Sequence, residues 1–167
     1  MTALYPWIVF GHVAAAFSFV LAHGVAVFVG FRIRREGDRA RIAALLDLSA
    51  ASLPMMYVSL LILIAAGLVA GAIGGWLGQL WIWAALGVLV AVSIAMSAIG
   101  SRHYLHLRHL VGASISPRKA RGLEPLGDPE RVERELAARL CSRVPESLTA
   151  IGGIGLLVVI WLMVVKP

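Results

Sequence analysis

The sequence predicts an all-α membrane protein, a four-helix transmembrane bundle with short amphipathic cytoplasmic helices. The 167-residue chain is 60% hydrophobic and only 14% charged, whereas an average soluble domain is about half apolar and a quarter charged. Asp, Glu, Lys and Arg are also missing from 1–31, 48–101 and 147–165. Because a helix needs about 20 apolar residues to cross a bilayer, the outer two gaps hold one span each and the middle gap holds two.

We expect a single transmembrane domain over 1–167, and its four spans can be placed in order. The first begins at Pro6, a residue suited to a first helical turn. The second contains Pro54, which should kink it near its charged end, and stops at Gly74. The third follows a tight uncharged turn, which predicts a hairpin of spans two and three. The span limits are about 6–31, 49–74, 77–101 and 145–165.

The charged loops, 32–48 and 102–144, contain two amphipathic segments. The stretch 39–52 has apolar residues on neighbouring turns and is predicted to lie at the membrane interface as a lead-in to span two. Asp128-Pro129-Glu130 is typical of a helix start. An apolar residue then recurs at every fourth position, which predicts a short helix on the membrane surface. These positions are Val132, Leu136, Leu140 and Val144.

The basic residues predict the orientation. All Lys and Arg except Lys166 lie in the two loops, which the positive-inside rule places in the cytoplasm. Both termini are then non-cytoplasmic, and the protein is expected in the inner (cytoplasmic) membrane. Tryptophan gives independent support, because every Trp falls at a span end that this topology places outside. The residues are Trp7, Trp76, Trp81, Trp83 and Trp161.

The pI of about 10.4 follows from this loop charge and is not taken as a sign of nucleic-acid binding. Anionic lipid head groups at the cytoplasmic face are the expected partners. Cys141 is the only cysteine, so an intramolecular disulfide is excluded. The chain has no nucleophile elbow, phosphate-binding loop or acidic pair within a span, which argues against an enzyme without deciding the question.

Two histidines in the first span are the main candidates for function, since ionisable residues within a membrane are functional hypotheses by default. His12 and His23 are eleven residues apart, which puts both imidazoles on one helix face about 16 Å apart. They could bind haem b or copper, with Met96 level with His23 and Met163 level with His12. Met55 or Met56 is a further candidate.

Two other interpretations of these histidines stay open. A neutral histidine can hold a bundle together by donating to a carbonyl or hydroxyl on a neighbouring helix. It can also belong to a proton or ion pathway.

A second group of histidines follows the third span. His103 and His106 are three residues apart and share a helix face, so they could bind a divalent metal, with Asp47 as the obvious carboxylate on that side. The competing interpretation is lipid contact, in which Arg102, Arg108 and these histidines attract anionic head groups.

Glycines form small-xxx-small patterns in two spans. Gly67, Gly71 and Gly75 are spaced one turn apart in span two, and Gly152 and Gly155 offer a flat face on span four. Such patterns allow close helix approach. They predict that the two spans pack together or form a subunit contact, in a homo-oligomer or a larger membrane complex.

The runs Gly11–Phe17, Leu21–Gly24, Phe31–Glu36 and Arg41–Ser49 carry a resemblance to a known family. They resemble an uncharacterised family of predicted bacterial four-span integral membrane proteins that is distantly similar to the copper-resistance protein CopD. The likeness covers most of spans one to three. In CopD-like proteins a histidine recurs near the start of the first span, so the resemblance implies a metal role for His12.

The function expected is therefore a small bacterial membrane subunit or scaffold that binds haem b or copper through the first-span histidines. The alternatives are a non-metal interaction protein with structural histidines, and a small ion or proton pathway.

Overall fold

A computed structural model describes residues 3–167, which fold into helices without any β-strand in that range. Four of these helices are long and apolar enough to cross a membrane, so the predicted all-α class with four candidate spans is confirmed. A short 3₁₀ turn, Ile33–Arg35, follows the first helix. The α-helices are α1 Tyr5–Arg32, α2 Arg39–Ile73, α3 Leu80–Leu110, α4 Pro117–Ala120, α5 Pro129–Leu140 and α6 Val144–Val165.

Helix α2 is longer than the sequence pattern suggested. It runs without interruption from Arg39 to Ile73, with Pro54 inside it. Asp38 caps its start, because its carboxylate accepts a hydrogen bond from the Ala40 amide at 2.9 Å, which satisfies one of the free donors of the first turn. The stretch 39–52, predicted as a lead-in to span two, is thus continuous with that span. That stretch is the first part of the second long helix.

The turn after α2 depends on a glycine. Gly75 has a φ of 71°, a left-handed conformation that glycine adopts without steric cost. Its amide donates to the Ala72 carbonyl at 3.3 Å, and the Trp76 amide donates to the Gly71 carbonyl at 2.8 Å. These two bonds form a Schellman motif. They explain why α2 stops where the sequence predicted.

The helices pack in two pairs, α1 along α2 and α3 along α6. Between the pairs, α2 meets α3 and α1 meets α6 at only a few points. The predicted hairpin of α2 and α3 is thus wrong as a packing unit, although a short turn joins these helices. At the turn, Leu77 and Ile82 lie against Gly71, so side chains occupy the place where the two backbones would otherwise approach.

Two apolar clusters lie at opposite ends of the bundle. One lies at the tryptophan end within the α3–α6 pair, where Trp81, Ile82, Ala85 and Leu162 are buried and Lys166 Nζ lies 3.9 Å from the ring centre of Trp76. The larger one joins the two pairs at the charged end, where α1, α2, α3 and α5 meet. Its buried residues are Val29, Ile33, Ile42, Leu46, Leu107, Leu110, Val132 and Leu136.

This larger cluster corrects the predicted position of α5. Val132 and Leu136, expected to face the membrane surface, are 7% and 4% exposed and pack against protein. An amphipathic stripe can bury itself in lipid or in a protein core, and here the ends of α2 and α3 provide the core. Ion pairs join the same end, Arg34 with Glu146, and Arg39 with Glu133 at 2.6 Å.

Candidate functional site: the cleft between the helix pairs

A cavity of about 1270 Å³ separates the two helix pairs. All four long helices line it, mainly with aliphatic side chains. The cavity is partly open to its surroundings, so a bound molecule can reach it. His12 and His23 both line it from α1, on one face of a continuous helix, as their spacing predicted.

His12 is anchored to the neighbouring helix. Its Nδ1 lies 2.9 Å from the carbonyl oxygen of Leu63 on α2, and since a carbonyl only accepts, Nδ1 carries the proton. The ring rests against Gly67, where a Cβ would come within 2.9 Å of the imidazole Cε1 and 3.0 Å of Nδ1. Gly67 therefore makes room for the ring. The lone pair of a neutral imidazole is then left on Nε2.

His23 points across the cleft instead. Its Nε2 lies 3.2 Å from the position that a Cβ on Gly152 would occupy, and Met96 Sδ lies 3.2 Å from the same position. His23 Nε2 and Met96 Sδ are therefore separated by at most twice 3.2 Å. Phe19 stacks on the imidazole with ring centres 6.3 Å apart and planes 8° from parallel, which orients the ring. Three helices, α1, α3 and α6, contribute to this point.

The structure places the other candidate methionines differently. Met96 lies beside His23, at the depth that the sequence suggested. Met163 lines the same cavity but packs against the cluster at the tryptophan end. Met56 also lines the cavity, whereas Met55 is 49% exposed. Of these four, Met96 is therefore the one that shares a contact point with a cleft histidine.

The glycine faces of α2 and α6 do not meet each other within the described chain. Gly67 receives His12, Gly152 receives His23 and Met96, and Gly155 receives Val92. Side chains from α1 and α3 thus fill the places where the predicted α2–α6 contact would form. Gly75 belongs to the turn instead. A contact between subunits through these glycines stays a prediction.

The histidines at the charged end are engaged separately. His103 is 7% exposed, and His106 Nδ1 lies 2.8 Å from the carbonyl of Arg102 in its own helix. Asp47 accepts a hydrogen bond from Arg108 at 2.5 Å. Among residues 3–167, no group of three His, Cys, Asp or Glu side chains could hold a metal ion. The divalent site predicted at His103 and His106 therefore lacks a third protein ligand in this part of the chain.

Sequence reasoning singled out both cleft histidines and Met96 but missed the role of the glycines opposite them. The glycine spacing that suggested contact between helices marks the positions at which side chains from other helices insert. Compared with known proteins, the chain matches no family model, no curated protein and no solved structure. The resemblance to CopD-like proteins stays a prediction, and the function must be argued from the cleft.

Proposed function

We propose that this chain is a small integral membrane subunit that binds one Cu(I) ion in the cleft, through Nε2 of His23 and Sδ of Met96. The observation that supports this most is their convergence over Gly152. A Cβ at that position would lie within 3.2 Å of both donor atoms. Glycine leaves that space for an ion.

The donor set suits Cu(I) better than other metals. Thioether sulfur is a soft ligand that selects Cu(I), and imidazole also binds copper. Both ligands are neutral, and no Asp or Glu of the described residues lines the cavity, so a divalent ion would bring two uncompensated charges into an apolar cleft. Burying such charge is costly. A monovalent ion reduces that cost.

The same geometry argues against haem b at this pair. A six-coordinate haem lies between its two axial ligands, and its plane would have to pass where the α6 backbone runs at Gly152. A single ion needs far less room. Copper is therefore the cofactor that we favour for His23 and Met96.

The two cleft histidines take different roles in this proposal. The bond from His12 to the Leu63 carbonyl fastens α1 to α2, as in a structural histidine. His23 has no hydrogen-bond partner among the described residues, so its imidazole is available to bind the ion. The metal role that the resemblance implied for His12 is thus assigned to the next histidine along the same helix face.

We also propose that the four spans lie in a bacterial inner membrane with the charged end in the cytoplasm. The basic residues of the two loops and the tryptophans at the opposite ends support this orientation. Large apolar side chains on the outer faces of the helices are exposed to the surroundings, as lipid contact requires. Among them are Phe10, Phe17, Leu61, Ile94 and Leu157.

The copper proposal is tested by Cu(I) titration of the purified protein against a chromogenic Cu(I) chelator. We expect one ion per chain, lost in His23→Ala and Met96→Leu and retained in His12→Ala. Equal Cu(I) binding by the wild type and both ligand variants would overturn the proposal. If the purified wild type showed a Soret band that disappears in His23→Ala, the cofactor bound at His23 would be haem instead of copper.

A further inference from the structure

The cleft changes character toward the charged end. There α2 lines it with small and aliphatic side chains, while α3 and the following loop line it with basic and hydroxyl groups. The α2 residues are Leu46, Ser49, Ala50 and Leu53. The facing residues are Arg102, Leu105, Arg108, Ser114, Ser116 and Lys119.

The basic groups at this end are incompletely paired. Arg108 donates through Nη2 to Asp47 at 2.5 Å and to the Ser114 carbonyl at 2.7 Å. Its Nη1 is buried without a hydrogen-bond partner among the described atoms. Arg102 and Lys119 form no ion pair within residues 3–167. With one carboxylate against three cations, this end of the cleft has a net positive charge.

A buried guanidinium nitrogen without an acceptor is costly, because it loses its hydration and gains nothing in return. Native structures rarely keep such groups without a reason. An anionic oxygen in this part of the cavity would pair directly with the two unpaired cations, and it would reach Arg108 Nη1, which has almost no accessible surface, only after that side chain shifts. Phosphate oxygens are well suited to this, since guanidinium groups bind them through several donors.

The remainder of the cavity is apolar and lies at membrane depth. Apolar cavities stay dry, so water is a poor occupant, and the cavity is partly open to its surroundings. A molecule that fits both parts has an anionic head and apolar chains. The bilayer provides such molecules at this depth.

We infer that the cleft holds one anionic glycerophospholipid. Its phosphate lies among Arg102, Arg108 and Lys119, and its acyl chains fill the apolar space between the helix pairs. This inference goes beyond the copper proposal and does not depend on it. The lipid contact predicted from the sequence at Arg102 and Arg108 becomes a defined site, with head and chains in one continuous cavity.

Binding can be measured in mild detergent by native mass spectrometry, with dioleoyl phosphatidylglycerol and dioleoyl phosphatidylcholine as probes and no copper present. We expect the protein to retain one phosphatidylglycerol and to release phosphatidylcholine. Lys119→Gln should weaken phosphatidylglycerol binding about fivefold, and Arg102→Gln with Lys119→Gln about 25-fold. Arg118→Gln is the matched control, since Arg118 is the adjacent residue of α4 but does not line the cavity.

The part of the site that holds the acyl chains is tested by separate variants. Ala50→Phe should fill the cavity and reduce lipid retention, whereas Ala51→Phe, on the neighbouring position outside the lining, should not. Equal retention of the two lipids, or equal weakening by Arg118→Gln and Lys119→Gln, would overturn the inference. Displacement of the lipid by millimolar inorganic phosphate, with no effect of Ala50→Phe, would show a phosphate site instead and would equally overturn it.

Discussion

His23 Nε2 and Met96 Sδ approach a single point, the position that a Cβ on Gly152 would take, to within 3.2 Å each. The donor atoms belong to helices from different pairs, α1 and α3, and the glycine belongs to α6. An ion bound there would link the two pairs in the middle of the cleft, where the protein itself provides few contacts. Binding of such an ion would therefore be coupled to the spacing of the pairs.

Gly152→Ala is expected to weaken Cu(I) binding about 10- to 100-fold, the range seen when groups that orient metal ligands are changed. The added methyl would press on both donor atoms and push them from their present positions. Chelator competition measures the affinity. Gly153→Ala is the control, because a Cβ there meets no described atom within 4 Å. Equal affinities of the two variants would contradict a site over Gly152.

Copper binding should also stabilise the protein. A ligand that binds only the folded state adds about 2.7 kcal/mol at 100 times its dissociation constant. We expect Cu(I) to raise the thermal midpoint of the wild type in detergent. Met96→Leu, which keeps the apolar volume but removes the sulfur, should abolish the increase. A midpoint that rises equally in Met96→Leu would show that copper binds elsewhere.

The number of long membrane-length helices, the end of α2 and the common face of His12 and His23 could all be predicted from the sequence. Charge-free lengths, a glycine pair and helical spacing determine these features locally. The pairing of α1 with α2 and of α3 with α6 could not be predicted. In a membrane, lipid is as apolar as leucine, so the sequence does not reveal which apolar face meets another helix.

The contacts of the glycines in the cleft could not be predicted from the sequence either. Gly67 and Gly152 fit a helix-contact pattern, yet each faces an inserted histidine. The pattern indicates close approach, but whether backbone or side chain approaches is decided by the position of a third helix. The stripe of α5 was ambiguous for a similar reason, because a half-apolar helix can pack on lipid or on protein.

Gly67→Ala is expected to destabilise the protein by about 1–3 kcal/mol, the cost of a buried polar group that loses its partner. The new methyl would displace the His12 ring from the Leu63 carbonyl. Thermal unfolding in detergent measures the effect. Gly11→Ala, in the same helix as His12 and with no described atom within 4 Å of its added Cβ, should cause no such loss. If the two variants were equally stable, the His12 bond would not fasten α1 to α2.

Leu136→Ala tests the position of α5. Leu136 is 4% exposed, and truncating a buried leucine typically costs about 2–5 kcal/mol. Leu126→Ala, at a 49% exposed position of the preceding loop, should be nearly neutral. Both are compared by thermal unfolding of detergent-solubilised protein. A helix resting on the membrane would instead make both variants neutral in detergent, which would refute the packing of α5 on the charged-end cluster.

The orientation can be tested by labelling introduced cysteines in whole cells with a membrane-impermeant maleimide. The native thiol must first be removed, because Cys141 is exposed at the charged end, so Cys141→Ser is the background. Gly78→Cys is the better choice in the α2–α3 turn. Gly78 is exposed and accepts a Cβ freely, whereas Gly75 has the left-handed φ that strains other residues.

With the charged end in the cytoplasm, Gly78→Cys should react in intact cells and Arg121→Cys should react only after the membrane is opened. The reverse pattern would place the basic loops outside. It would also place the proposed lipid site in the opposite leaflet, while the helix pairs and the His23–Met96 contact would stay as they are. The labelling thus tests the orientation independently of both binding proposals, and it decides which leaflet would provide the anionic lipid.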